Sequence, residues 1–489
     1  MTTSTSTCSP PSRARPPSNR RIRRKPMNLK RLDIQLFLVT SALVAVGLLM
    51  VGSVGQLPGA DGGPAGSYLP GQLWKLLPGV ALLLVFWRVG AARLVKLAKP
   101  ALIVGFLLLL LTLFQGVGTE SSGARRWLSL GLFSFQPAEV LKLFLLLYLA
   151  DTLSRRRNRL ESFKRGMLPP LLVVGAACGL LLLQPDLSTA LLLFVTALAM
   201  FWIAGVPGRH LAVSLAVIVP VVILLVYLEP YRWARITAFL DPWRDAQAGG
   251  YQIVQSLLAI GSGGLTGVGL GASQQKLFYL PEAHTDFIFS ILGEELGLLG
   301  TLGVLALFVA LVVIGLRIVR RVRDPFSRLL ALGVTVWLGV QALINIGVVT
   351  GLLPTTGLPL PFISYGGTSL VSGLAAVGIL AGAARETAES RPAEVGEPLE
   401  RPAVRRAESG GESREPKKLR RSPARTFGRP APRPVTGSAY LARSHTAASR
   451  DWRVSRRSRS GSAASHSHKG FSRPFGEVYA RADRRRRWR

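Results

Sequence analysis

Apolar runs close to twenty residues long recur through the middle of this chain, among them LFLVTSALVAVGLLMVGSV and LLLFVTALAMFWIAGV. About twenty residues of helix cross the roughly 30 Å of hydrocarbon in a bilayer. A soluble core rarely asks for so many such runs. Backbone in lipid has no water to bond, so each segment must satisfy its own N–H and C=O groups, which a helix does. The weak period-2 alternation of a membrane β-barrel is absent. The expected fold is therefore an all-α integral membrane protein, a polytopic bundle of about ten transmembrane helices.

Charged and Gly/Pro breaks place the spans near 32–54, 73–90, 100–118, 137–153, 167–183, 187–205, 210–228, 286–318, 328–351 and 366–384. Lys and Arg set the orientation. With the N-terminus inside, the cytoplasmic loops are RVGAARLVKLAKP, SRRRNRLESFKRG, VPGRH and RIVRRVRDPFSR, whereas the outer loop 119–136 carries only Arg125 and Arg126. Both termini are then cytoplasmic. A large extracytoplasmic loop, 229–285, joins the seventh and eighth helices, and it mixes the amphipathic YQIVQSLLAI, the glycine string GSGGLTGVGLG and the aromatic LFYLPEAH. That mixture predicts an ordered structure lying on the membrane. Span 8 is long, since 33 residues of helix reach about 50 Å, so part of it should project from the bundle or line a cavity.

The net charge of +34 sits mainly outside the membrane domain, with +9 in residues 1–31 and +16 in residues 385–489. These Arg, Ser and Pro-rich ends read as disordered cytoplasmic tails flanking a domain at 32–384. The basic charge would suffice for nonspecific nucleic-acid contact, but anionic membrane lipids or an acidic partner account for it as well. The first 31 residues contain no apolar signal-peptide core, and Met27 offers an alternative start. Cys8 and Cys178, one in a polar tail and one in an apolar run, do not suggest a disulfide or redox chemistry.

Ionisable residues at span ends and within spans mark candidate sites. Asp286, in PEAHTDFIF, lies where the outer loop enters span 8. Partial desolvation there would raise its pKa toward the range of a general base; a helix-start Asp with Thr285 as cap is the competing reading. His284 and Glu282 precede it, while Glu294 and Glu295 follow on the helix, with Glu294 roughly on the face of Asp286. Glu139 and Lys142, at i and i+3 in QPAEVLKLF, can pair on one helical face. Asp186 in QPDLSTA suits a helix N-terminus. Arg125, Arg126, Arg232, Arg235 and Lys276 are outer-side cations able to recognise a diphosphate or ordinary lipid headgroups. The glycine string has neither dinucleotide nor P-loop context. No Cys/His metal cluster and no G-x-S-x-G occur, and a divalent cation such as magnesium or manganese held by carboxylates is left open.

The blocks YQIVQSLLAIGSGGLTGVGLG, QQKLFYLPEAHTDFIFSILGEELGLLG, LLPTTGLPLPFISYGGTSL, RRWLSLGLFSFQPAEVLK and QPDLSTA resemble the signature blocks of the SEDS family (shape, elongation, division and sporulation), over about residues 30–384. Ala283 and the QQKLFYLPEAH block look more like the FtsW branch than the RodA branch. The resemblance implies a peptidoglycan glycosyltransferase of the inner membrane that polymerises lipid II, the undecaprenyl-diphosphate-linked disaccharide pentapeptide. It also implies a class B penicillin-binding protein transpeptidase and other divisome proteins as partners, with septal localisation. It assigns Asp286 as the catalytic residue and favours Glu139, Lys142 and Asp186 as cavity residues. Ser188 stands where glycine is common in the family, and the basic tail is not a family feature. A RodA-like polymerase of elongation and a lipid II flippase are the alternatives.

Overall fold

The computed structural model describes residues 29–55, 68–114, 118–121, 124–130, 133–277 and 279–389. Cys8, Met27 and nearly all of both tails lie outside these residues. Ten long helices account for the ten expected spans: α1 (Leu29–Val54), α2 (Tyr68–Val89), α3 (Ala98–Leu113, entered through a 3-10 turn Ala92–Leu97), α4 (Pro137–Arg155), α5 (Leu168–Leu183), α6 (Leu187–Ala204), α7 (Gly208–Leu228), α10 (Ile288–Val319), α11 (Pro325–Val349) and α12 (Gly367–Glu389). Two shorter helices, α8 (Pro230–Leu240) and α9 (Tyr251–Ser262), belong to the long loop. Among the described residues, nine segments are long and apolar enough to cross a membrane. The exception is α4, whose 19 residues hold Glu139, Lys142, Asp151 and Arg155. Its charges are compatible with a central position because the first three are buried in protein, away from lipid.

Local chemistry explains most helix ends. Asp186 caps α6 by accepting from Thr189 N at 3.1 Å, and Asp324 caps α11 by accepting from Ser327 N at 2.8 Å. Pro137 and Pro325 occupy first-turn positions of α4 and α11, where their missing N–H is not needed.

Small residues let helices approach closely, as expected where lipid gives no hydrophobic drive to association. A Cβ on Gly378 or Gly382 of α12 would lie 2.4 Å and 2.8 Å from the carbonyls of Leu83 and Phe86 on α2. Of the nine apolar segments, α12 and α11 are the most buried and α7 the least.

One end of the bundle, called here the loop end, carries α8, α9 and a three-stranded antiparallel sheet ordered β1 (Gly118–Ser121), β2 (Ala124–Leu130), β3 (Phe133–Phe135). This sheet was not expected from the sequence. At the same end α10 is broken at Gly297 (φ 64, ψ −163). Leu298 N and Leu299 N, which in an unbroken helix would bond Glu294 O and Glu295 O, instead reach Gly264 O and Leu265 O at 2.9 and 3.1 Å. The two freed carbonyls accept from Val268 N and Gly269 N at 3.0 and 3.1 Å. The glycine string is thus stitched into the helix break, and the length of span 8 has a structural cause.

Candidate active site

Asp286 lies in the turn that leads into α10, one residue before the N-cap Phe287. Three successive carbonyls of this turn are claimed by residues 345–365: His284 O accepts from Tyr365 N at 2.9 Å, Thr285 O from Ser364 Oγ at 2.6 Å, and Asp286 O from Asn345 Nδ2 at 2.8 Å. Fixing three backbone groups in a row fixes where the Asp286 side chain emerges. That side chain is half-buried and lies against Gly357, whose Cβ, if present, would sit 3.5 Å from Oδ2. Gly357 has φ +77, a conformation that favours glycine. Burial of the carboxyl, then the neighbouring charge of Glu282, pushes Asp286 up to about 7; Arg235 and Arg126 oppose the shift and Asp186 adds to it.

The wall facing Asp286 is the irregular segment 352–366, interrupted by Pro354, Pro359 and Pro361. Side chains from three helices hold its carbonyls. Ser188 Oγ of α6 donates to Thr356 O at 2.5 Å, Arg235 Nη1 of α8 to Thr355 O at 3.1 Å, Asn345 Nδ2 of α11 to Leu358 O at 2.8 Å and Gln341 Nε2 of α11 to Pro359 O at 2.9 Å. Ser188, the departure from the family pattern, therefore anchors this wall.

Gln341 joins the wall to a buried polar core. Its Oε1 accepts from Trp337 Nε1 at 2.8 Å and from Lys142 Nζ at 3.3 Å. Lys142 Nζ also bonds Glu139 Oε1 at 2.6 Å, and Glu139 Oε2 accepts from Ser372 Oγ at 2.9 Å. The expected pair exists, fully inside the protein, with Lys142 0% exposed. A buried pair holds only if its remaining groups are bonded, and these contacts supply that.

The other expected residues divide. Arg126 lies near Asp286 but donates to Gln184 O and Pro185 O at 3.1 and 2.5 Å. Asp186 is near too, and caps α6. Arg232 is turned to Leu225 O at 3.2 Å, and Arg235 also bonds the Tyr231 hydroxyl. Arg125 sits in β2, with its side chain outside what the structure describes. His284 stacks on Tyr68 with ring centroids 4.7 Å apart.

Lys276, Glu294 and Glu295 form a separate cluster around the glycine loop. Lys276 Nζ bonds Glu295 Oε1 and Ser53 Oγ at 3.2 Å each and Gly271 O at 2.7 Å. Glu294 accepts from Ser273 Oγ and from Gln274 N and Gln275 N at 2.9 and 3.3 Å. Their heads are occupied in holding the loop to α10. Sequence reasoning missed Asn345, Gln341, Tyr365 and Lys75, the last a half-buried lysine on α2 whose Nζ is 3.2 Å from the Tyr365 hydroxyl.

Fold and site together define a polytopic helical membrane protein with a half-buried acid at one end of its bundle. The chain belongs to the FtsW/RodA/SpoVE family of cell cycle proteins, whose model matches residues 33–389. A relative from Halorhodospira halophila, named "Probable peptidoglycan glycosyltransferase FtsW", is 46% identical over 366 residues, 74% of this chain and 92% of its own. A relative of the same name from Coxiella burnetii is 44% identical, covering 73% and 96%. Among solved structures, a chain of a peptidoglycan synthase complex that coordinates polymerization and crosslinking is 34% identical, with a TM-score of 0.61 over 72% of this chain and 97% of that one. The rod shape determining protein RodA of Thermus thermophilus is 32% identical, with a TM-score of 0.53 over 72% and 96%.

Proposed function

We propose that this protein is a peptidoglycan glycosyltransferase that polymerises lipid II on the extracytoplasmic face of the inner membrane. The basic loops at the opposite end of the bundle support that orientation, with both termini in the cytoplasm. Asp286 takes the proton of the GlcNAc 4-hydroxyl of one lipid II. The oxygen attacks the anomeric carbon of the lipid-linked MurNAc ending the growing chain, and undecaprenyl diphosphate leaves with the bonding electron pair. Proton transfer by a positioned base typically contributes about 100 to 10,000-fold.

The observation that carries this reading is the Asp286 carboxyl, raised to about 7 on a turn whose carbonyls are pinned in succession. A base near neutrality can both accept a proton from a hydroxyl and release it. Glu139 and Lys142 support the site from within the protein through Gln341, Asp186 caps α6 beside it, and His284 lies on its rim. Among the described residues no three His, Cys, Asp or Glu side chains gather around a metal position.

The 44–46% identity to FtsW relatives against 32% to RodA supports a place in septal synthesis. There the partners would be a class B penicillin-binding protein and other divisome components. The decisive assay is polymerisation of lipid II by purified protein, with substrate supplied where no flipping is needed. Asp286→Asn is expected to lose at least about 100-fold in rate, and wild-type product from that variant would remove Asp286 as the base.

A further inference from the structure

The cations expected to recognise a diphosphate are largely engaged: Arg126, Arg232 and Arg235 by backbone carbonyls, and Lys276 by Glu295. Lys75 differs. It projects from α2 two turns beyond Tyr68, half-buried, with its stem packed where Gly367 leaves no Cβ. Its Nζ is 3.2 Å from the Tyr365 hydroxyl and 4.5 Å from the centre of that ring. Among the described residues no carboxylate lies within ion-pair distance of it. A lysine inside a membrane helix normally finds a counter-charge or serves a ligand.

A second observation falls one turn away. Gln72 is 1% exposed and donates through Nε2 to Ser364 O at 3.3 Å, while its Oε1 has no partner. Buried acceptors are seldom left unbonded without a reason. Beside both residues stand the rings of Tyr68, His284 and Tyr365, with centroids 4.7 to 5.8 Å apart. His284 is two residues from Asp286, so this corner adjoins the turn that carries the acid.

We propose that Lys75 binds a phosphate oxygen of a lipid-linked diphosphate, with Gln72 Oε1 accepting from a hydroxyl or amide of the attached sugar and the three rings forming the wall. Among the described residues no carboxylate pairs with Lys75, so a phosphate would supply its counter-charge, and lysine meets it as a point charge. The proposal rests on the reading of lipid-linked diphosphates as substrates, and it does not depend on Asp286 being the base.

The test uses full-length protein in nanodiscs and compares binding of undecaprenyl diphosphate with that of undecaprenol, the neutral alcohol, with phosphatidylglycerol as competitor. Wild type should prefer the diphosphate by about tenfold or more, a difference of about 1.4 kcal/mol, and phosphatidylglycerol should not displace it. Lys75→Arg should keep the preference. Lys75→Gln, which retains a donor toward the Tyr365 hydroxyl, should bind both ligands nearly alike. A preserved preference in Lys75→Gln, its loss in folded Lys75→Arg, or equal competition by phosphatidylglycerol would each overturn the assignment. Wild type without any preference would instead remove the substrate class itself, a result separable from the others.

Discussion

Asn345 spends both N–H groups of its amide on two carbonyls, Asp286 O and Leu358 O, each at 2.8 Å. One buried side chain thereby ties the turn carrying the acid to the wall opposite it. Asn345→Ala leaves both carbonyls without this donor, at a cost of roughly 1–3 kcal/mol for each buried group. Turnover should fall by about tenfold to 100-fold, because a displacement near 1 Å at a catalytic group has that effect. Asn345→Asp, which offers no donor, should do no better. Polymerisation kinetics beside thermal melting checks this, and a variant that melts early but turns over normally would reduce Asn345 to a structural role.

The Glu139–Lys142 pair makes a prediction about stability. Removing one partner leaves a buried charge uncompensated, which costs about 3–5 kcal/mol, whereas removing both leaves only a packing defect. Glu139→Gln should therefore unfold at markedly lower temperature than the double variant Glu139→Gln/Lys142→Met. Detergent melting of wild type, both singles and the double variant closes the cycle. Additive losses would mean that the two charges do not depend on each other.

The break in α10 can be tested by two glycines of the same helix. A Cβ on Gly297 would fall 2.3 Å from Gly267 N and 2.7 Å from the Leu265 carbonyl carbon, at φ +64. A Cβ on Gly303 would meet nothing within 4 Å. Gly297→Ala should lose at least about 3 kcal/mol or fail to fold, since its backbone conformation is nearly restricted to glycine. Gly303→Ala should be neutral or gain up to about 1 kcal/mol from helix propensity. Melting curves of the two proteins decide the matter, and equal stability would show that the glycine loop is not rigidly docked.

Much of this architecture was legible beforehand, because lipid imposes one rule on every span. Runs such as 36–54 announce themselves, and even the crowding of charge in α4 could be read as an internal pair. The unusual length of span 8 was visible, but not its cause: the break at Gly297 depends on hydrogen bonds from residues 264–269, which no local pattern encodes. The sheet at 118–135 escaped notice because its strands are only 4, 7 and 3 residues long. Lys75 escaped for another reason. A single lysine near the start of an apolar run reads as a residue snorkelling to the interface, and only Tyr365, 290 positions away, turns it toward the site. Asn345 and Gln341, neutral residues four apart in an apolar helix, gave no charge signal at all.

The raised pKa of Asp286 fixes the sign of two pH effects. With its carboxyl held at about 7 in the folded protein, the base is ionised above that pH and protonated below it. The lipid II polymerisation rate should climb through the range 6 to 8 and be half-maximal near 7. Folding stability runs the other way. Between the ordinary carboxylate range and 7 the native state binds a proton that the unfolded chain has released, so this group's contribution to stability falls as pH rises through that window. Asp286→Asn removes the ionisation, and should melt higher than wild type at pH 8 by an amount on the order of 1–3 kcal/mol, with the difference vanishing at pH 4. Paired melting curves at the two pH values test the linkage independently of activity. A constant gap between the proteins across that range would place the Asp286 carboxyl in water rather than in a half-buried site, and with it would go the physical basis for a base that works near neutral pH.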